Sequence, residues 1–118
     1  MVYDPLTEVT DEQLMISAQT VQELERLRNA EKFADLPGFD KTEEQDRLSQ
    51  FLNELLSELA AGVEAHPNKL WVMGRFQLTL KRIEMEDTEG RERFGEYLEQ
   101  IMDVLNIESS DGLINFYL

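Results

Sequence analysis

Four carboxylates recur every three or four residues in the segment ERFGEYLEQIMDVL: Glu92, Glu96, Glu99 and Asp103. We call this set the acidic stripe. Carboxylates at this spacing could bind a cation, exchange protons with a substrate or attract a basic protein. At about 100° per residue they fall on one side of a helix. The apolar residues on the opposite side are Phe94, Leu98, Ile101 and Leu105. The pattern predicts either a solvated helix face or a docking face for a basic partner.

A metal site or catalytic centre is not expected. Carboxylate metal sites in helical bundles face inward and use Glu-x-x-His pairs, whereas the acidic stripe faces outward and the chain lacks that motif. The one histidine, His66, precedes Pro67 at a predicted helix end, where a cation is favoured. There is no phosphate-binding glycine loop and no nucleophile elbow. We therefore predict no catalytic residue, no metal and no cofactor.

The turn ESSDG near the C-terminus suggests a second candidate site. A polar pocket holding Arg91, Glu92 and Asp111, with perturbed titration, would indicate a small ligand-binding or enzymatic domain. Serines before Asp-Gly are also ordinary turn and helix-cap residues. The motif alone therefore leaves both roles open.

Charge and composition limit the classes of molecule that the protein is expected to bind. The chain has 25 acidic and 11 basic residues, a net charge of −14. Such a surface repels nucleic acid and anionic membranes and permits a basic protein partner. The chain has no cysteine, no apolar stretch long enough for a membrane span and no signal-peptide pattern. We expect a soluble, cytoplasmic protein that binds neither nucleic acid nor membranes.

The 118 residues suggest a single helical domain over 1–118. Helical periodicity predicts an all-α bundle of four main helices plus a short C-terminal helix. Thr10 and Gln13 have capping-box spacing, which predicts a first helix from there to near Lys32. Between the first two helices, the apolar residues of FADLPGFD should lie on the core around a Pro-Gly turn. A second helix should begin in DKTEEQ, capped by Asp40 or Thr42, and end near His66.

The third segment is ambiguous over residues 70–81. Its alternating apolar residues fit a strand, but no strong partner strand exists, so we favour a helix capped by Asn68. Two apolar faces then emerge. One consists of Val72, Met73, Phe76, Leu80 and Ile83. The other consists of Trp71, Leu78 and Met85, which predicts either a helix buried on two sides or a homodimer face.

A fourth helix should run from Asp87 or Thr88 to near Asn106. Ser110 can then cap a last short helix in DGLINFYL.

The C-terminal third resembles a family of small bacterial proteins known as a domain of unknown function, DUF4844. The matching residues are Asp87-Thr88-Glu89 with Arg91-Glu92, Ile101-Met102-Asp103, and IESSDGL at 107–113 with Asn115. FADLPGF at 33–39 is similar as well. The resemblance implies a bacterial source and a small helical domain, and it brings no activity, cofactor or catalytic residue.

The function we predict is a non-enzymatic protein-interaction module. One version is an inhibitor or immunity-type protein that masks a basic surface. The alternative is the small ligand-binding or enzymatic domain with its pocket near the ESSDG turn.

Overall fold

A computed structural model describes residues 2–36 and 41–118, apart from the side chain of Lys41. All regular structure in this part of the chain is helical. A 3₁₀ turn at Pro5–Glu8 precedes α1 (Ala18–Asn29), α2 (Lys41–Gly62), α3 (Lys69–Arg82), α4 (Thr88–Leu105) and α5 (Leu113–Tyr117). The predicted all-α fold, with four main helices and a short C-terminal one, is confirmed. The predicted Pro37-Gly38 turn, Phe39 and the Asp40 cap lie outside the described residues.

The second helix lies at the centre of the fold. It packs against α1, α3 and α4. Its apolar stripe is fully buried at Leu48, Leu52, Leu55, Leu56 and Leu59. Because burying a leucine side chain contributes about 1.5–3 kcal/mol, this stripe is a large share of the core. The body measures 43 × 40 × 19 Å, so it is about two helices thick.

The predicted start of the first helix is wrong by seven residues. The helix begins at Ala18, and Ser17 is its cap. The Ser17 Oγ accepts a hydrogen bond from the Thr20 backbone N at 3.2 Å, while the Thr20 hydroxyl accepts one from the Ser17 N. The capping box therefore exists, seven residues downstream of the one predicted at Thr10 and Gln13.

Residues 10–14 form an extended segment that we call the clasp. Its backbone pairs with the connection between α2 and α3: the Leu14 N donates to the Pro67 carbonyl at 2.7 Å, and the Lys69 N donates to the Glu12 carbonyl at 2.9 Å. These bonds hold the segment extended and explain why it does not coil into a first helical turn.

The clasp also satisfies the first turn of α3. The Leu70 N donates to the Asp11 carboxylate at 2.9 Å, and the Trp71 N donates to the Asn68 side chain at 2.9 Å. The predicted Asn68 cap is therefore confirmed. With the Lys69 N bonded to the clasp, the first three free amides of the helix all have partners.

Residues 70–81 are helical, as predicted. The face formed by Val72, Met73, Phe76, Leu80 and Ile83 is fully buried. The prediction that α3 is buried on two sides is wrong, because Leu78 is 50% exposed and Met85 is 96% exposed. Among the described residues, α3 packs against α2, α5 and the 3₁₀ turn, which leaves its outer side uncovered.

Both ends of the described chain are attached to α3 through one side chain. The Gln77 Nε2 donates to the Asp4 carboxylate at 2.6 Å and to the Tyr117 hydroxyl at 3.1 Å. The 3₁₀ turn and α5 thereby lie side by side against the third helix.

The remaining helix ends follow simple capping chemistry. The second helix ends at Gly62, earlier than the predicted His66. The fourth ends at Leu105, close to the predicted end, and its C-cap Asn106 is left-handed with φ 58°. The N-cap of α5 is the left-handed Gly112, so the prediction that Ser110 caps this helix is wrong by two residues, although the Ser110 Oγ accepts a hydrogen bond from the Ile114 N at 3.3 Å.

The start of the connection after α1 is packed on the core, as predicted for its apolar residues. Phe33 and Leu36 are buried. The Phe33 backbone N donates to the Tyr97 hydroxyl at 3.1 Å. Lys32 is buried beside them, and its ammonium donates to two carbonyl oxygens in the last turn of α1 and to that of the C-cap Ala30, at 2.6–2.8 Å. Burial lowers the pKa of Lys32, while the negative end of the helix dipole favours its charge.

Candidate functional site

The acidic stripe lies on the outer face of α4. All four of its carboxylate residues are exposed. The opposite face is buried at Phe94, Leu98, Ile101 and Leu105. The predicted orientation of this helix is therefore confirmed, and the carboxylates are open to solvent.

The acidic stripe is only partly neutralised within the fold. Arg93 lies 3.4 Å from Glu96 and shares its guanidinium with Asp35 at 3.0 Å. In the described part of the chain, Glu92, Glu99 and Asp103 form no ion pair. Like charges three or four residues apart each destabilise a helix by a few tenths of a kcal/mol. The stripe thus carries a negative field that an external cation would relieve.

A shallow groove of about 300 Å³ runs between α4 and α5 beside the acidic stripe. Its acidic wall consists of Glu92, Glu96 and Glu99. Its apolar floor comes from Ile114 and Leu118. Gly95 makes this packing possible, because a Cβ there would lie 2.6 Å from a methyl carbon of Leu118. The groove therefore offers an apolar contact next to three carboxylates.

The predicted corner of Arg91, Glu92 and Asp111 is not brought together. Arg91 lies in the first turn of α4, where its guanidinium reaches Thr88 at 3.5 Å. Asp111 follows the last turn of the same helix. At 1.5 Å per residue, the helix separates the two by roughly 20 Å. Glu92 belongs to the acidic stripe instead.

Asp111 belongs to a different cluster, at the start of α3. Its Oδ2 lies 2.8 Å from the Lys69 Nζ and accepts from the Thr10 N at 2.9 Å. Glu12 lies 3.2 Å from the same ammonium. The hydrogen bond from Lys69, followed by that from Thr10, lowers the pKa of Asp111. Burial lowers the pKa of Lys69, but the bonds to Asp111 and Glu12 outweigh it, so the net shift is upward.

This cluster assigns a structural role to the ESSDG turn. Asp111 and Gly112 are both left-handed, with φ 54° and 87°, and Ser109 accepts from the Asp111 N at 3.0 Å. The turn thereby aims a carboxylate at Lys69, whose side chain is only 3% exposed. Sequence reasoning missed Lys69, because its partners are 42 and 57 residues away.

The three residues of the predicted dimer face have different environments. Trp71 is half-buried: a Cβ on Gly62 would lie 2.7 Å from its ring. His66 stacks on the indole with centroids 5.2 Å apart, and the Arg75 guanidinium lies 5.8 Å from its centroid. Leu78 is exposed on the outer side of α3, and Met85 follows the end of that helix.

A second group of acids surrounds the start of α4. Burial, followed by repulsion from Asp87 and Glu86, raises the pKa of Glu44. Arg47 binds Glu86 through two hydrogen bonds of 2.6 and 2.7 Å. Within the described residues, no group of three or more acidic or histidine side chains is arranged to bind a metal ion. None of the helices in that part of the chain has the length and apolar character needed to cross a membrane.

Comparison with known proteins gives one match. A family model described as a domain of unknown function (DUF4844) matches residues 15–118. No curated protein and no solved structure matches the chain. The matched span contains all five α-helices, the acidic stripe and the ESSDG turn.

Proposed function

Because the chain belongs to the DUF4844 family, a domain of unknown function, we propose its function from the chemistry of its own surface. The protein is a non-enzymatic protein-interaction module that binds a basic protein segment along the outer face of α4. The observation that carries this proposal is the acidic stripe beside the apolar groove between α4 and α5.

The chemistry of the groove defines the partner. Three exposed carboxylates on one wall suit lysine or arginine side chains spaced by one helical turn. The floor at Ile114 and Leu118 suits one or two apolar side chains between those cations. A net charge of −14 steers such a partner from a distance, and salt screens that attraction.

A designed peptide tests the proposal. The probe is an amphipathic helix with lysines one turn apart and a leucine between them, and its affinity is measured by fluorescence anisotropy. We expect binding that weakens at least about tenfold as salt rises from about 50 to 300 mM. Replacing the probe's leucine with serine should weaken binding further, because the apolar floor would lose its contact.

A charge-matched pair of variants separates a site from general acidity. Glu96→Lys with Glu99→Lys should weaken probe binding at least about tenfold. Glu58→Lys with Glu64→Lys changes the net charge equally at exposed positions on and just after α2, and it should have a small effect. Equal losses in the two double variants would overturn the proposal.

One biological version is an inhibitor or immunity-type protein that masks a basic active site or nucleic-acid-binding surface. The supporting feature is again the acidic stripe. Mixing the chain with the basic protein products of neighbouring genes should give a salt-sensitive complex that the Glu96→Lys, Glu99→Lys variant does not form. If none of these products binds, the inhibitor or immunity-type version is wrong, whereas the result with the designed peptide is unaffected.

A further inference from the structure

The two ends of α5 are held in the fold by different contacts. At its start, Leu113 is fully buried and Ile114 is 7% exposed, so the core anchors this end. At its last turn, Phe116 and Leu118 are 54% and 37% exposed. A helix of five residues is not stable alone, because isolated helices shorter than about 12 residues are marginal in water. The position of the last turn therefore depends on the side chains that attach it.

Gln77 on α3 attaches this last turn to the N-terminal segment, residues 2–14. The nitrogen of its side-chain amide carries two hydrogens, and it donates to the Tyr117 hydroxyl at 3.1 Å and to the Asp4 carboxylate at 2.6 Å. Because Gln77 is buried, leaving either hydrogen without an acceptor would be costly. Each acceptor therefore helps to fix the amide that binds the other.

The N-terminal segment also contacts α5 at two further points. The Thr10 N donates to Asp111, just before α5, at 2.9 Å. Near the other end of the helix, the Tyr3 and Phe116 rings lie 5.6 Å apart. Between these points Pro5 is buried in the 3₁₀ turn, which packs against both α3 and α5. The segment thus supports α5 along its length.

We propose that Gln77 is a positioning residue for the groove between α4 and α5, and that through it the N-terminal segment controls how well the groove binds an apolar side chain. This inference rests on the proposed function. Gln77 does not line the groove. It holds Tyr117, and the next residue, Leu118, packs beside Gly95 as part of the apolar floor. Release of Tyr117 would let Leu118 move away from α4.

The acidic wall and the apolar floor of the groove should respond differently to this release. The carboxylates of the wall lie on α4, whose opposite face is anchored in the core. The attraction to lysine side chains should therefore remain, while the groove loses its preference for a probe with leucine over one with serine. Because coupling between two sites is reciprocal, binding of the leucine probe should in turn hold the N-terminal segment in place.

Two variants of Asp4, which lies outside the groove, test this link with the same change in net charge. Asp4→Ala removes the acceptor for Gln77, whereas Asp4→Asn keeps a side-chain oxygen that can accept. By fluorescence anisotropy, Asp4→Ala should reduce the preference for the leucine probe at least about threefold and change the affinity for the serine probe less than about twofold. Asp4→Asn should stay within about twofold of the parent for both probes. Equal losses of preference in the two variants would overturn the proposal.

Two further variants remove the hydrogen bond from its other ends. Gln77→Leu removes the donor, and Tyr117→Phe removes only the hydroxyl, so it is the milder change. Circular dichroism checks that each variant keeps its helix content. Both should reproduce the reduced leucine preference of Asp4→Ala. An unchanged preference in a folded Tyr117→Phe would show that the bond does not position the floor.

Hydrogen exchange without any probe measures the last turn of α5 directly. The amides of Phe116 and Leu118 donate to carbonyls of the same helix and of Gly112 at 3.0 Å. They should exchange at least about threefold faster in Asp4→Ala than in Asp4→Asn. Equal exchange in the two variants would overturn the positioning role.

The reciprocal effect is measured on the parent protein. Saturation with the leucine probe should slow exchange of the Leu6 and Thr10 amides, which donate to Asp4 and Asp111, more than saturation with the serine probe does. A parent that binds neither probe would overturn the proposed function, and this inference with it. A parent that binds both probes, with a leucine preference that Asp4→Ala leaves intact, would overturn this inference alone.

Discussion

The Nζ of Lys69 lies 2.8 Å from Oδ2 of Asp111, with the lysine side chain 3% exposed and the aspartate 28% exposed. This ion pair joins the first turn of α3 to the ESSDG turn. A cation this deeply buried is stable only while its partners are in place. The ESSDG turn, which the sequence suggested as a ligand site, therefore has a structural role, because it holds the carboxylate that pairs with Lys69.

Asp111→Asn should lower stability by roughly 2 kcal/mol, because it leaves the buried Lys69 without its nearest anionic partner. For a chain of this length that corresponds to a Tm about 8 °C lower in thermal unfolding followed by circular dichroism. Asp103→Asn makes the same change at an exposed position and should leave the Tm nearly unchanged. An unchanged Tm for Asp111→Asn would show that the ion pair contributes nothing.

Stability should also depend on pH through Asp111. Its pKa in the folded protein lies below the ordinary value of 3.8. Above that value the carboxylate is ionised in both folded and unfolded chains, and its contribution is fully present. As the pH falls from 3.8 toward the folded pKa, the unfolded chain takes up the proton first and the contribution is lost. In urea unfolding, the difference in stability between the parent and Asp111→Asn should therefore be smaller at pH 3 than at pH 7.

Two glycine-to-alanine changes should have opposite signs. Gly74→Ala fills open space on an exposed helix and should stabilise the protein by about 0.5–1 kcal/mol. Gly62→Ala would place a Cβ 2.7 Å from the Trp71 ring and should destabilise by about 1 kcal/mol. Unfolding at low micromolar concentration measures both. The fluorescence of the single tryptophan should change in Gly62→Ala alone, and stabilisation by that variant would contradict the packing described.

Reversing two charges on the acidic stripe should change the thermal stability of the protein only slightly. Glu96→Lys with Glu99→Lys removes one surface ion pair to Arg93 and also relieves like-charge contacts along α4. The two effects nearly cancel, so the Tm should stay within about 2 °C of the parent value. Unfolding of this double variant would mean that the stripe supports the fold and is not free for a partner.

Most of the fold could be predicted from the sequence, because α2 to α5 depend on local signals. The Asn68 cap of α3 and the left-handed Asn106 at the end of α4 depend only on residues within one helical turn of each. The start of the first helix could not be predicted in this way. A capping-box pattern at Thr10 and Gln13 is overridden by backbone hydrogen bonds to Pro67 and Lys69, more than 50 residues away.

The features of the candidate site likewise divide into those that local sequence patterns predict and those that depend on distant contacts. The outward direction of the acidic stripe follows from the helical period, so it was predictable. The distance between Arg91 and Asp111 could also have been estimated, because the predicted fourth helix already separated them. The burial of Lys69 could not be predicted from the neighbouring sequence, because a lysine beside Asn68 and Leu70 is typical of an exposed helix start.

The clasp has a consequence for the motions of the protein. Thr10 and Lys69 both depend on Asp111, and the amides of Lys69 and Leu70 depend on Glu12 and Asp11. If the clasp detaches, it uncovers these helix amides and deprives the buried ammonium of a neighbour at the same moment. The N-terminal segment, the head of α3 and the ESSDG turn should therefore open together, as one cooperative unit of local unfolding rather than as three independently fraying ends.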